Sequence, residues 1–150
     1  MEIAIAVNKI KKDQILFDIK NQCLKHNITV YSNKEMFLNK SFGFSILTYY
    51  DMWYSNADYH IATCLYSAKN MILNPKIKSV YFYVWNLEWI YGVHDYESML
   101  NIYANKKVRL IARSEDHAKS ICDSWNIVPK VAYNFDLDNI IGKKHEKVNI

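Results

Sequence analysis

SVYFYVW, residues 79 to 85, is the stretch on which the fold turns: six of its seven residues are β-branched or aromatic, the types that suit a pleated strand, and none is charged. A strand that is apolar on both faces must be covered on both faces, which is the situation of a parallel strand inside an α/β sheet. EIAIAV, residues 2 to 7, has the same character. These two runs are expected near the centre of one parallel sheet.

Working outward, the segments between such runs read as helices. From Lys11 to His26 the apolar residues Ile15, Leu16, Ile19, Cys23 and Leu24 recur at helical spacing, with Lys12, Asp13, Lys20 and Lys25 on the other side. Ile28 to Tyr31 is a second brief strand. Residues 34 to 57 mix aromatics without a clean period, and Ser45 to Tyr54 is read as a helix. Ala57 to Thr63 is a strand, followed by a helix from Leu65 to Leu73 that stops before Asn74-Pro75. Asp95 caps a helix to Asn105 with Tyr96, Met99, Leu100, Tyr103 and Ala104 as its apolar stripe. Val108 to Ala112 is a strand, Ser114 caps a helix whose Ala118, Ile121, Cys122 and Trp125 face inward, and Val131 to Tyr133 is a last short strand.

Strands that alternate with helices of 10 to 15 residues make an α/β fold: a Rossmann-like, doubly wound parallel sheet in three layers, helices on both faces. Residues 1–140 are read as one such domain and 141–150, with the basic run KKHEK, as a tail or the start of an interdomain linker. In these sheets every strand-to-helix connection lies on one edge, and ligands sit there, at the switch in strand order. That edge collects Asn8 and Lys9, Cys64, Asn86 to Trp89, Arg113 and Ser114, and Asn134.

Composition narrows the function. At 150 residues with 51% hydrophobic and 15% aromatic content, the chain fills one continuous core. Its net charge of +4 comes from scattered lysines, with Arg only at 109 and 113, so no nucleic-acid footprint is visible. Cys23, Cys64 and Cys122 show no metal spacing and are odd in number, which fits a reduced, cytoplasmic setting. No segment has the length of a membrane span. The wealth of Lys, Asn, Ile and Tyr is the bias of an AT-rich genome, such as a phage or a streamlined bacterium. NKIKKDQ after the first strand holds no glycine, which excludes both the dinucleotide fingerprint and the Walker loop.

Three segments, VYFYVWNLEW (80–89), ARSEDHAKSI (112–121) and KVAYNFDLDNI (130–140), together with the order of elements, resemble the N-terminal, acceptor-side domain of GT-B glycosyltransferases. The first is similar to their strand and acceptor-side loop, the second to their strand and Ser-Glu helix cap, the third to their Asn-Gly-Val-Asp segment near the linker. Where the family has His-Asp after the central strand, this chain has Trp85-Asn86, with Glu88 two residues on. Where it has Asn-Gly, this chain has Asn134-Phe135, and Asp136 is kept.

The resemblance implies a sugar or glycan acceptor, with no cofactor in this chain and a nucleotide-sugar donor held by a second GT-B domain. The face meant for that domain would also suit a homodimer. Asn86 and Glu88 are the catalytic candidates. Asn8, Lys9, Trp85, Trp89, Arg113, Ser114 and Asn134 are the candidates for ligand contact. The plainer readings are a solvated loop carboxylate for Glu88, core packing for Trp89 and for Tyr49 to Tyr54, and satisfied structural imidazoles for His26, His60 and His117. The rival to the transferase is a non-enzymatic α/β module that binds a small polar ligand or a protein partner.

Overall fold

The computed structural model describes residues 1–8, 14–33, 43–91 and 95–142. Lys9, His94 and the basic run 143–147 lie outside them. The described residues form seven parallel strands: β1 Glu2–Val7, β2 Asn27–Ser32, β3 Ser45–Thr48, β4 Tyr59–Ala62, β5 Val80–Val84, β6 Val108–Ala112 and β7 Lys130–Val131. Between and after them lie α1 Gln14–Gln22, α2 Tyr49–Met52, α3 Leu65–Leu73, α4 Glu88–Tyr91, α5 Tyr96–Tyr103, α6 Glu115–Trp125 and α7 Leu137–Ile141. The sheet order is β3-β2-β1-β4-β5-β6-β7, a Rossmann-like three-layer arrangement.

Strand alternation divides the core in two. Val80, Phe82 and Val84 of β5, with Ala4 and Ala6 of β1, face a layer built by α2, α3, α5 and α6 through Met52, Leu65, Met71, Met99, Tyr103, Ile121 and Trp125. Tyr81 and Tyr83, with Ile3, Ile5 and Val7, face α1 and α7 through Ile15, Ile19, Leu137, Ile140 and Ile141. Both faces of β5 are buried along its whole length, as its unbroken apolar run requires. β1 and β5 flank β4, the middle strand.

Several local readings are corrected. Ser45–Thr48 is a strand rather than the start of a helix, because Ser45 to Thr48 pair in register with Thr29 to Ser32; only Tyr49–Met52 is helical. Leu24 is 97% exposed and lies beyond α1, which ends at Gln22, so it joins no helical stripe. Tyr96 and Ala104 lie outside the buried face of α5, which is carried by Met99, Ile102 and Tyr103. The last strand is Lys130–Val131, and Tyr133–Phe135 is a 3-10 turn. The helix α4 is one turn that spacing does not announce.

The switch in strand order does not fall at the connection after β5. Strand order reverses between β1 and β4, since β2 and β3 build outward on one side and β5 to β7 on the other. The connection after β5 is one strand away from it, so Asn8 and Cys64, rather than Asn86, follow the two strands of the switch.

Candidate functional site at the carboxyl edge

At the switch point, side chains close the gap where β1 and β4 part. The Thr63 hydroxyl donates to the Ala6 carbonyl at 2.9 Å, and the Tyr49 hydroxyl donates to the Val7 carbonyl at 2.7 Å. Burial, and then the neighbouring Cys64, push the Tyr49 phenol well above the usual range, so it stays protonated and keeps donating. Tyr49 in turn stacks on Tyr66, with centroids 5.6 Å apart and planes 19° apart. Asn8 is exposed beside this floor.

The N-terminus of α3 opens onto the same place, and the protein fills it from within. Cys64 is its N-cap, with Sγ accepting from the Ser67 N–H, while the Ser67 hydroxyl accepts the Thr63 and Cys64 amides at 3.1 Å each. The Leu65 N–H donates to Glu88 Oε1 at 2.8 Å. An anion at a helix N-terminus meets unpaired amides and the positive end of the dipole. Here that anion is the carboxylate of Glu88, reaching across from α4. Burial and then Glu88 raise the Cys64 thiol, against the Ser67 contacts that lower it; the balance keeps it a thiol, which makes it a poor nucleophile.

At the ends of β5 and β6, Arg113 lies over the half-buried Trp85, its guanidinium carbon 5.7 Å from the ring centroid. Arg113 Nε donates to His117 Nε2 at 3.2 Å. A neutral imidazole that accepts on Nε2 carries its proton on Nδ1, and that nitrogen is buried. Burial and then the Arg113 charge hold His117 below its ordinary range, while the Val84 carbonyl acts the other way. Ser114 caps α6, its Oγ accepting from the His117 N–H at 3.2 Å. The two terminal nitrogens of Arg113 have no carboxylate partner among the described residues.

The other candidates separate. Asn86 is exposed, and its carbonyl accepts the Glu88 N–H at 3.0 Å in a tight turn. Trp89 packs edge-on against Tyr103 at 5.4 Å and Trp125 at 5.6 Å, so its ring belongs to the aromatic core under α5 and α6. Asn134 lines a different cavity, of about 360 Å³, with Gln22, Lys25, Tyr133, Asp136 and Asn139. Asn134 and Phe135 both take the left-handed conformation, at φ 53 and 54. Sequence reasoning missed Thr63 and Tyr66 and read Tyr49 as packing, which its burial bears out; none sits in a motif, and only the sheet order brings them to Asn8. No group of three His, Cys, Asp or Glu among the described residues is placed to hold a metal ion. No helix among them is long and apolar enough to cross a membrane.

Compared with protein-family models, with curated proteins and with solved structures, the chain finds no significant match.

Proposed function

We propose that this chain is the acceptor-side half of a GT-B-type glycosyltransferase, which moves a sugar from a nucleotide-sugar donor to an acceptor hydroxyl. The observation that carries the reading is the backbone at Asn134-Phe135. The resemblance puts glycine at position 135, and Phe135 takes φ 54, the left-handed conformation that glycine adopts without strain and a bulky residue rarely does. A large side chain in a glycine's conformation is what an Asn-Gly turn leaves behind when the glycine is replaced and the turn is kept.

In this reading the acceptor lies on the carboxyl edge and the donor is bound by a second domain outside these residues. Glu88 takes the proton of the acceptor hydroxyl as its oxygen bonds to the sugar carbon and the nucleotide diphosphate leaves. Asn86 and Asn8 contact hydroxyls, and Arg113, held on Trp85, turns its terminal nitrogens to the anionic part of the donor. One observation favours the rival, a non-catalytic module: Glu88 already accepts the Leu65 amide, which is structural work.

The test is a nuclear magnetic resonance titration of the purified chain with mono- and oligosaccharides, beside an incubation of the chain alone with nucleotide sugars. Amide shifts at Asn86, Trp85 and Arg113 are expected, with no transfer above background, since transfer needs both walls of the cleft. Turnover by the chain alone, or saccharides that leave this edge unmoved, rejects the half-enzyme reading.

A further inference from the structure

Between α3 and α5 runs a groove of about 320 Å³ lined by Leu65, Tyr66, Lys69, Asp95, Ser98, Met99 and Ile102. Both helices begin at the carboxyl edge, α3 just after β4 and α5 after α4, so the groove opens on the same side as the switch point. Its floor is apolar, because Leu65, Met99 and Ile102 are buried. Its wall is Tyr66, 47% exposed, with one face of the ring pressed on Tyr49.

That wall is held from behind. Tyr49 is anchored by its hydroxyl to the Val7 carbonyl, Tyr66 is stacked on Tyr49, and the free face of Tyr66 is therefore presented in one orientation. Lys69, one turn along the same helix, offers an ammonium donor. Across the groove Asp95 and Ser98 form the opposite rim, with Asp95 Oδ2 accepting both the amide and the hydroxyl of Ser98. A fixed aromatic face over an apolar floor with a few polar groups at the rim suits a ring that is apolar on its faces and hydroxylated around its edge.

We propose that the groove between α3 and α5 is a binding subsite for one hexopyranose ring, stacked on Tyr66 with its hydroxyls at Lys69 and Ser98. The choice of a sugar rests on the acceptor-side reading above. Leu65 gives the groove its connection to that site: its side chain lies in the floor while its amide is held by Glu88. A ring seated on Tyr66 thus lies beside the residue whose amide Glu88 holds.

The experiment is the same saccharide titration carried out on Tyr66→Phe, Tyr66→Ala and Lys69→Met, each checked for folding by its unfolding curve. Tyr66→Phe keeps the platform and should bind within about twofold of the parent chain, whereas Tyr66→Ala should weaken binding by up to about tenfold, the scale of one lost stacking contact. Lys69→Met should weaken it severalfold with shifts still centred on Ser98, Met99 and Ile102. Undiminished binding in Tyr66→Ala and Lys69→Met, or shifts that avoid α5, overturns the subsite. The two readings fail separately. Saccharide shifts at Asn86 and Arg113 without any in the groove sink the subsite alone. A groove that binds sugar in a chain that transfers none when joined to a donor domain sinks the transferase alone.

Discussion

Glu88 Oε1 accepts the amide of Leu65 at 2.8 Å, tying the connection after β5 to the first residue of α3 across the sheet's carboxyl edge. The contact joins residues 23 apart in sequence and is charge-assisted, with the helix dipole behind it. The Asn86 carbonyl holds the Glu88 amide, so the carboxylate is aimed by its own turn.

Glu88→Ala should therefore lower stability by about 1.5 kcal/mol, the lower end for a hydrogen bond to a charged group, with the loss seen as a lower midpoint in urea and an unchanged slope. Glu88→Gln keeps a carbonyl acceptor for Leu65 and should recover at least half of that. In a fusion of this chain to a donor domain, the glutamine variant separates the roles: stable but inactive means a base, stable and active means only a structural tie. Equal midpoints for the alanine variant and the parent chain would remove the structural role.

Phe135 is completely buried, packed edge-on against Tyr83 at 4.9 Å, while its backbone sits at φ 54. Left-handed backbone costs a bulky residue about 1–2 kcal/mol, and truncating a buried phenylalanine costs about 3–5 kcal/mol. Core burial wins, so Phe135→Gly should destabilise by about 2–3 kcal/mol in spite of relieving the backbone. Asn134→Gly, at an exposed position with the same left-handed backbone, should be neutral or stabilising by a few tenths of a kcal/mol. A stabilised Phe135→Gly protein, measured by thermal and urea unfolding, would reverse this ranking.

Two histidines contribute to the acid limb of stability. His60 is buried in β4 with Nε2 unpartnered, and burial lowers its affinity for a proton; His117 is lowered by burial and by Arg113. Both folded-state values lie below the ordinary 6.5, so under that pH the unfolded chain takes up protons that the folded one resists. Their contribution is complete above about 6.5, falls as pH drops through the window below it, and stops changing under the folded values. The His60→Gln, His117→Gln double variant should show a flatter dependence of unfolding free energy on pH from about 6.5 to 5. Identical slopes in the variant and the parent would show that neither ring resists protonation in the folded state.

Much of the architecture was legible because its causes are local. The runs at 2–7 and 79–85 are apolar on both faces and must be covered on both, and Leu65–Leu73 and Val108–Ala112 fall where spacing and proline put them. Asp95 and Ser114 accept the amides three residues on, as capping residues do. Local signals were insufficient at Ser45–Thr48, whose run SILT suits strand or helix until β2 offers it hydrogen bonds. They were also insufficient for α4, a single turn in which Trp89 is held by Tyr103 and Trp125.

By itself the sequence determined that this chain makes a parallel sheet between two layers of helices, because residue type and period settle which segments are strands and which faces are apolar. Only the tertiary structure decided where the strand order reverses and what meets there. The energy of a contact such as Tyr49 on Val7, Glu88 on Leu65 or Arg113 on Trp85 depends on strand neighbours that no local pattern records. The reversal between β1 and β4 brings Asn8, Tyr49, Thr63 and Cys64 to one edge, and the register of β5 beside β4 lets Glu88 reach α3. A site made of long-range pairs exists only once the chain has closed them.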